Sequence, residues 1–516
     1  MSARLRVLFG QAYYLRFDPK LWAAQQPYPP LGTLYAAAVA RDAGHHVELF
    51  DAMLAGSESE WASALDRSRP DVAVLYEDSF SYLSKMCLLR MREAAVTMVG
   101  AARVRGVRVI VSGSDATDHA GIYLRAGADV VIAGEGEETL RQLLEALSLK
   151  TPGSLRDIRG IYVPDDRGDV RKTPPRDLIA DLDALPRPAW DLVDVARYRR
   201  IWLRRHGYFS MSVATTRGCP YHCNWCAKPI YGQRYTARSP EHVAAEIAWL
   251  RAAYGPDHLW IADDIFGLKP GWIEGFADRI VEHGAATPFK CLLRADGVTG
   301  DRARDLRRAG CRTAWIGAES GSQRILDAME KGTRIDQIRT ATRVLRREGI
   351  EVGFFVQFGY PGETKEDIAK TLQMLNECRP DDIGVSVSYP LPGTSFHERV
   401  KAQLGAKQNW VDSDDLAMMY RGTYAPEFYR TLHGVVHAEH RRRRAIDAAT
   451  RWAPATPRVM PREAAGALWQ SLKLPFLRRR LDRLARASTD TALLAAPLTI
   501  PLLSQRAAAV PSDQPR

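Results

Sequence analysis

The chain contains 516 residues, of which 46% are hydrophobic and 26% are charged, and this length and composition predict a globular protein of two or three domains. The formal net charge is +11, but the basic runs Arg441–Arg444 and Arg478–Arg480 are not interleaved with the aromatic residues of a single-strand-binding surface. We therefore expect no nucleic-acid partner. The sequence has no apolar signal segment and no apolar stretch of about 18 residues, which predicts a cytoplasmic protein.

Residues 1–150 alternate short apolar strands with helical patterns. The helix between the first two strands is expected to start after Pro30 and to stop at Gly44. This alternation predicts an α/β fold with a doubly wound, Rossmann-like parallel sheet, which binds ligands at the carboxyl ends of its strands. The predicted strands are Arg6–Phe9, Val47–Phe50, Asp71–Tyr76, Val107–Val111 and Asp129–Ala133.

Residues 151–205 are rich in Pro, Asp and Arg without a sustained period, and we predict a linker there. Residues 206–400 show a second strand–helix series, which predicts a partial (β/α)6 barrel with its active site at the carboxyl ends of the strands. Residues 401–516 are predicted to be helical and basic, with a frayed tail from Ser504. The predicted barrel strands are Met211–Thr216, His258–Ala262, Phe289–Leu293, Thr313–Gly317, Val352–Phe358 and Ile383–Ser388.

Three of the seven cysteines, Cys219, Cys223 and Cys226, fall within eight residues. Thiolates are the usual ligands of iron–sulfur clusters, and three of them on a four-iron cluster leave one iron open to a small molecule. A zinc site would generally need a fourth ligand such as His222. The spacing therefore favours a [4Fe–4S] cluster, with zinc as the alternative. The other cysteines are predicted to pack as small hydrophobic residues: Cys87, Cys291, Cys311 and Cys378.

The C-x3-C-x2-C spacing, the preceding glycine and the aromatic Trp225 before the last cysteine resemble the radical S-adenosylmethionine (SAM) superfamily. This resemblance implies that the open iron binds SAM, and that one electron from a donor such as flavodoxin or ferredoxin cleaves SAM to a 5′-deoxyadenosyl radical. Polar segments that follow the predicted barrel strands also resemble this superfamily. The resemblance implies SAM contacts by Trp225, by Asp263 or Asp264 near the amino group, by Arg294 and Glu319 near the carboxylate and ribose, and by Gly359 near adenine.

The first sheet resembles the cobalamin-binding domain that precedes many radical SAM barrels. The segment from Asp51 to Gly56 has the frame of the D-x-H-x-x-G motif, with Met53 in place of the cobalt-binding histidine. Met53 is therefore either a weak ligand or a core residue. The segment Tyr76–Phe80 lies where a ligand-facing loop is expected, but it matches no motif. The resemblance places these residues near cobalamin: Asp51, Met53, Gly113, Ser114, Gly134, Glu135 and Gly136. A sheet of this kind without a cofactor is the alternative.

Together, the two resemblances imply a cobalamin-dependent radical SAM enzyme that methylates an unactivated carbon of a small-molecule substrate. An oxidative enzyme similar to the anaerobic Mg-protoporphyrin monomethyl ester cyclase is the alternative within enzymes. A cobalamin or cluster sensor without turnover is the alternative outside them.

The carboxyl-terminal region is expected to cover the barrel mouth and to select the substrate, through an aromatic-rich part from Met418 to Arg430. Packing between helices is the alternative explanation of these aromatic residues. The apolar stretch Leu472–Leu477 is followed by Arg478–Arg480, and a second apolar stretch covers Leu493–Leu503. These stretches suit either a peripheral membrane contact or an intramolecular packing face. A membrane contact would fit a lipid or tetrapyrrole substrate.

Overall fold

A seven-stranded sheet forms the first part of the protein, whose computed structural model describes residues 4–149, 154–165, 167–228, 230–450 and 460–494. Its strands are β1 (Arg6–Gly10), β2 (His46–Leu49), β3 (Val72–Tyr76), β4 (Arg108–Ser112), β5 (Val130–Ile132), β6 (Ile161–Pro164) and β7 (Val170–Lys172). The order is β2-β1-β3-β4-β5-β6-β7, and the first five strands are parallel. This order confirms the predicted doubly wound sheet, and its reversal between β1 and β3 marks the expected ligand-binding edge.

Helices cover both faces of this sheet. They are α1 (Pro19–Ala24), α2 (Leu31–Asp42), α3 (Ser59–Ser68), α4 (Tyr82–Lys85), α5 (Leu89–Arg103), α6 (Ser114–Asp118), α7 (Ala120–Arg125) and α8 (Glu137–Ser148). Helix α2 begins directly after Pro30, as predicted. Helices α2 and α8 pack over one apolar core that contains Leu140, and α3 and α5 pack over another that contains Trp61 and Met98.

Residues 151–205 contain more structure than the predicted linker. Strands β6 and β7 continue the first sheet in antiparallel orientation, and α9 (Val195–His206) follows them. The prediction was wrong here because β6 is short and buries only alternate residues, while β7 is exposed, so neither has an apolar run. Helix α9 is anchored by the buried Tyr198 and by Trp202, whose indole N–H donates to the carbonyl of Pro27 at 2.7 Å.

The second sheet contains six parallel strands and confirms the predicted partial barrel. The strands of this part are β8 (Ser210–Val213), β9 (Thr216–Arg217), β10 (Thr236–Ala237), β11 (His258–Ile261), β12 (Phe289–Leu293), β13 (Cys311–Glu319), β14 (Glu351–Phe358) and β15 (Asp382–Val387). Six of them lie in the order β8-β11-β12-β13-β14-β15, and β9 pairs with β10 in a separate antiparallel ribbon. The carboxyl ends of the six strands form one rim.

Helices alternate with the barrel strands. They are α10 (Pro240–Tyr254), α11 (Trp272–Glu282), α12 (Gly300–Ala309), α13 (Gln323–Ala328), α14 (Ile335–Arg347) and α15 (Lys365–Cys378). Ser239 caps α10 and Thr364 caps α15 by accepting a backbone N–H in the first turn, which satisfies donors that would otherwise have no partner.

One continuous apolar core joins the two sheets. Leu34, Tyr35 and Phe80, which lie at or beyond the carboxyl edge of the first sheet, belong to the same buried cluster as Met211 and Ile261 of the barrel. The first sheet therefore faces the barrel with the edge at which such sheets bind ligands.

The carboxyl-terminal part is helical, as predicted, with α16 (Ser395–Val400), α17 (Pro426–Thr450) and α18 (Met460–Leu494). Helix α17 packs against β15 and α18. Within the described residues, no helix is both long enough and apolar enough to cross a membrane. The predicted tail from Ser504 and most of the stretch Leu493–Leu503 lie outside the described residues.

Two histidines on α17 are predicted to make the protein sensitive to mild acid. Burial lowers the pKa of His433 to about 4 and that of His437 to about 3. The cations of Lys20 and Arg441 lower both pKa values further, whereas the carboxylate of Asp414 acts in the opposite direction on His433. In the unfolded chain these histidines have the ordinary pKa of 6.5 and take up protons below that pH. In the folded chain they stay neutral until the pH approaches their lowered pKa values. We therefore expect unfolding free energy to be lost as the pH falls from 6.5 towards 4.

The double variant His433→Gln/His437→Gln should lose less unfolding free energy between pH 7 and pH 5 than the parent protein. Denaturant unfolding at both pH values measures the difference, and His46→Gln, at an exposed histidine, serves as the control. An equal loss in the double variant and in the parent would show that other groups cause the acid sensitivity.

Candidate active site

The three clustered cysteines lie in a loop that a short strand pair closes at its base. This cysteine loop, residues 218–235, connects β9 to β10, where Arg217 is opposite Thr236. Gly218 has a φ of +79°, and a Cβ atom there would overlap the backbone oxygen of Arg234. Only glycine fits this turn, so the glycine before the first cysteine sets the direction in which the loop leaves the barrel rim.

The cysteine thiols are free and partly buried. The backbone N–H of Cys226 donates to the carbonyl of Cys223 at 3.2 Å, so these two residues share one turn. Burial raises the pKa of Cys226 to about 12 and raises that of Cys219, and the neighbouring thiolates act in the same direction. Thiols in such surroundings ionise readily only when a cation replaces their protons. The donor set therefore fits an iron–sulfur cluster.

The zinc alternative gains no support from the structure. His222, the proposed fourth ligand, is exposed. Three thiolates without a fourth protein ligand suit a cluster that keeps one iron open. In the described part of the chain the three thiols are not drawn together as the ligands of a single metal ion would be, so the preference for a cluster rests on the donor set and its spacing.

Asn224, which lies between the second and third cysteines, fixes the loop against the barrel. Its amide N–H donates to the carbonyl of Ala328 at 2.8 Å, and its amide oxygen accepts from the hydroxyl of Tyr360 at 3.0 Å. Its backbone N–H and carbonyl bond to Met329 and Phe396. Sequence reasoning missed this residue, because an asparagine inside the cysteine spacing carries no signal of these distant partners.

Asp263, which follows β11, holds the segment between β8 and the cysteine loop. Its carboxylate accepts the backbone N–H groups of Thr215 at 2.7 Å and Thr216 at 3.0 Å, and also the hydroxyl of Thr215. Burial raises the pKa of Asp263 to about 6. These bonds hold the segment that leads into the cysteine loop, so the side chain already has partners where a contact with the SAM amino group was predicted.

Asp264 contacts the first sheet. Its carboxylate forms an ion pair of 2.5 Å with the ammonium of Lys85, the last residue of α4. Both side chains are less than one-third exposed, so the pair is shielded from solvent more than a surface pair would be. The sequence predicted a SAM contact for Asp264, and the structure places it at the boundary between the sheets.

Arg294, at the end of β12, lies beneath the cysteine loop. Its guanidinium donates to both carboxylate oxygens of Asp296, at 3.0 and 2.9 Å, and to the carbonyl of Lys331 at 3.0 Å. It also lies 3.5 Å from the ring centroid of Tyr221 in the cysteine loop, a favourable cation–π geometry. Arg294 is thus fixed against the cysteine loop, and its contact with SAM stays a prediction.

Glu319 ends β13 in a left-handed conformation with a φ of +57°, which is unusual for a residue other than glycine. Its carboxylate accepts from the buried ammonium of Lys331 at 2.9 Å. The same ammonium lies 5.9 Å from the ring of Trp225, whose indole N–H is buried without a partner in the described part of the chain. The structure therefore brings Glu319, Lys331 and Trp225 together beside the cysteines.

Gly359 follows β14 and is surrounded by the protein's own side chains. Its N–H donates to Glu363 at 2.6 Å, and its carbonyl accepts from the hydroxyl of Tyr420 at 2.5 Å. Burial raises the pKa of Glu363 to about 8. A Cβ atom on Gly359 would lie 3.0 Å from the sulfur of Met418. The aromatic-rich part of the carboxyl-terminal region thus packs over this strand end, where the sequence predicted a cover for the barrel.

Arg217, at the base of the cysteine loop, is buried against the first sheet. Its guanidinium donates to Glu135 at 2.5 Å and to Glu137 at 2.7 Å, and the ring of Tyr35 lies within 5.6 Å. All three charged side chains are at most 5% exposed. Nearby, the hydroxyls of Ser79 and Tyr231 lie 2.6 Å apart. The predicted cobalamin contact Glu135 therefore binds the barrel instead of lining an open slot.

Two other predicted cobalamin contacts have partners in the structure. The carboxylate of Asp51 accepts from the hydroxyl of Tyr198 at 2.7 Å and from the backbone N–H of Met53 at 3.2 Å. Met53 is partly buried against the core that joins the sheets. This packing favours the interpretation of Met53 as a core residue over that of a weak cobalt ligand.

The remaining predicted contacts lie at the carboxyl edge of the first sheet. Gly134 has a φ of +75° and donates its N–H to Thr117 at 3.2 Å, and a Cβ atom on Gly136 would lie 2.7 Å from the hydroxyl of Tyr76. Gly113 has a φ of +149°. A Cβ atom on Gly113 would likewise lie 2.7 Å from the Cβ of Glu77, so side chains of the protein fill the space beside Gly113 and Gly136, and only glycine fits at these two positions.

Glu77 is a half-buried acidic residue at this edge that the sequence did not single out. One carboxylate oxygen accepts the backbone N–H of Ala12 at 2.8 Å, and burial raises the pKa of Glu77 to about 8. Its other oxygen, and the hydroxyl of the neighbouring Ser114, are buried without a partner among the described residues. Buried polar atoms normally have partners, so these two fit a polar ligand such as a cobalamin side chain.

Comparisons with known proteins agree with this arrangement. The radical SAM superfamily matches residues 213–375, and the B12 binding domain matches residues 22–144. An uncharacterized methyltransferase of Pyrococcus horikoshii is 28% identical over 74% of this chain and 81% of its own length. The anaerobic magnesium-protoporphyrin IX monomethyl ester cyclase of Synechocystis is 27% identical over 72% of this chain and 73% of its own length.

A solved structure shares the fold. The radical SAM methyltransferase TsrM from Kitasatospora setae has a TM-score of 0.63 at 20% identity, with 78% of each chain covered. The chain thus combines an amino-terminal region that matches the B12 binding domain with a region that matches the radical SAM superfamily and contains the cysteine loop. This pairing agrees with the predicted set of a [4Fe–4S] cluster, SAM and cobalamin.

Proposed function

We propose that this protein is a methyltransferase that adds a methyl group to an unactivated carbon of a small-molecule substrate. The observation that carries the proposal is the contact between the barrel rim, at the base of the cysteine loop, and the carboxyl edge of the first sheet. Arg217 binds Glu135 and Glu137, and Asp264 binds Lys85. A substrate carbon between these two edges would be within reach of both cofactors, and positioning of this kind is the protein's main contribution to catalysis.

The cofactors, when bound, supply a carbon-centred radical and a methyl group. In our proposal Cys219, Cys223 and Cys226 hold the cluster, and Asn224 fixes the loop that carries them. Arg294 and the Glu319–Lys331 pair provide the charges for the amino acid part of SAM, beside Trp225. Asp263 and Asp264 position the loop and the sheets rather than bind SAM directly.

The first sheet is proposed to hold cobalamin with backbone and small polar groups. Ser114 and Glu77 offer buried polar atoms that have no partner among the described residues, and we propose that the backbone at Gly113, Gly134 and Gly136 passes close to the ligand. Because Met53 packs into the core, we expect no protein ligand from that position. The apolar core between the sheets excludes water from the space that the reaction needs.

An oxidative cyclase reaction is the second candidate, because relatives named as a methyltransferase and as a cyclase match this chain with nearly equal identity. Tetrapyrrole substrates are therefore worth including beside other small molecules in a substrate screen. A reduced flavodoxin or ferredoxin would be the natural electron donor to supply.

The deciding experiment uses anaerobically reconstituted protein with cobalamin, a reductant and SAM labelled in its methyl group. We expect 5′-deoxyadenosine and a product that carries the label. A product that forms without label would replace methyl transfer by the cyclase reaction. Failure to form 5′-deoxyadenosine with any candidate substrate would favour a sensor without turnover.

A further inference from the structure

Helix α18 is apolar on two opposite sides. Its inward side packs Leu474 and Leu477 against Val435 and Ala438 of α17 in a small buried cluster. Its outward side carries four large apolar side chains that are between 55% and 68% exposed, namely Leu468, Trp469, Leu472 and Phe476. Isolated exposed apolar residues are ordinary, but a contiguous group of this size marks an interaction surface.

The four exposed side chains form one patch. Leu468, Leu472 and Phe476 follow each other at intervals of four residues and therefore lie along one stripe of the helix. The indole ring of Trp469 lies beside this stripe, with the ammonium of Lys473 4.5 Å from its centroid. We call residues Leu468, Trp469, Leu472, Lys473 and Phe476 the outer patch.

The same stripe becomes cationic towards the end of the helix. Arg479, Arg483 and Arg486 continue the spacing of the outer patch and are exposed. Residues 465–487 contain six basic residues and one acidic residue, Asp482, and the carboxylate of Asp482 is already paired with Lys365 at 3.0 Å. Arg478 and Arg480 are paired with Glu439 and Glu427 of α17, whereas Arg479, Arg483 and Arg486 have no acidic partner among the described residues. An apolar patch next to these three arginines complements a surface that has an apolar interior and a negative charge.

We infer that the outer patch and the arginines after it dock the protein on the surface of an anionic lipid bilayer. Trp469 and Phe476 would enter the boundary between headgroups and acyl chains, where aromatic side chains are favoured. Arg479, Arg483 and Arg486 would contact the headgroup phosphates. The helix lies on the membrane and does not cross it. This inference does not rest on the proposed reaction.

Vesicle flotation of the full, cofactor-loaded protein tests the inference. Vesicles of equal parts phosphatidylcholine and phosphatidylglycerol should bind the protein, vesicles of phosphatidylcholine alone should bind it less, and added salt should weaken the binding. The variant Trp469→Gln/Phe476→Gln should lower the bound fraction at least about tenfold, because two large apolar side chains no longer enter the bilayer. Arg479→Gln/Arg483→Gln should lower the affinity about tenfold or more, and only for the anionic vesicles.

Matched controls distinguish vesicle binding by the outer patch from non-specific hydrophobic adsorption and from the effects of misfolding. Leu203→Gln/Val281→Gln removes two exposed apolar side chains elsewhere and should leave vesicle binding unchanged. All variants should keep the parent's rate of 5′-deoxyadenosine formation and its helical content. Absence of vesicle binding by the parent, unchanged binding by Trp469→Gln/Phe476→Gln, or a parent dimer that this variant converts to monomer would each overturn the inference.

Discussion

Simultaneous replacement of Cys219, Cys223 and Cys226 by alanine is expected to abolish the iron–sulfur cluster and all SAM cleavage. Thiolates are the cluster's protein ligands, and in the described residues no other cysteine stands in the cysteine loop. Iron and sulfide contents should fall to background, the electron paramagnetic resonance signal of the reduced cluster should disappear, and no 5′-deoxyadenosine should form.

Cobalamin binding should survive this change, because the first sheet contributes its own polar edge. Cobalamin retention, measured by the absorbance of the corrin, therefore separates loss of the cluster from loss of the fold. Cys378→Ala removes a buried thiol on α15 and should leave iron and sulfide contents unchanged. An alanine variant that still bound four irons would disprove the assignment of the cysteine loop.

Arg217→Met is expected to destabilise the protein and to disturb the cysteine loop at its base. The substitution leaves Glu135 and Glu137 buried without their cation, and breaking a buried ion pair in this way costs about 3–5 kcal/mol. The loss should appear as a lower midpoint in denaturant unfolding. Because Arg217 lies two residues before Cys219, we also expect more 5′-deoxyadenosine per molecule of product, since the radical forms without a well-placed substrate.

Removal of the two glutamate charges tests whether unpaired carboxylates cause the loss of stability in Arg217→Met. Adding Glu135→Gln and Glu137→Gln to Arg217→Met removes the unpaired charges and should recover part of the lost unfolding free energy. Arg308→Met removes an arginine that pairs with Asp278 on the surface and should cost less than about 1 kcal/mol. If the triple variant were no more stable than Arg217→Met, unpaired carboxylates would not be the cause of the instability.

The strands of both sheets could be predicted from the sequence because parallel strands buried on both sides read as short apolar runs. The prediction failed at β6 and β7, which are added in antiparallel orientation at the sheet edge and are partly or fully exposed. It also placed the end of β13 too early, at Gly317, because Glu319 continues the strand after a shift in register.

The cysteines were predictable because their function fixes their spacing along the chain. The roles of Asp264 and Glu135 were not, since the segments at strand ends look the same whether they face a cofactor or another part of the protein. Their partners Lys85 and Arg217 lie 179 and 82 residues away in sequence. Likewise the segment Tyr76–Phe80 matches no motif, yet it contains Glu77, with a buried carboxylate oxygen at the carboxyl edge of the first sheet, and Ser79, which contacts Tyr231 of the cysteine loop.

The apolar core that joins the two sheets limits how such proteins can be recombined. A barrel taken from one protein and fused to the B12-binding domain of another would have to preserve the common core to which Tyr35 and Phe80 of the first part and Met211 and Ile261 of the barrel belong. A chimera cut between residues 150 and 206 would separate two halves of a single interior. Exchange between relatives is therefore expected to succeed only when both complementary surfaces are transplanted together.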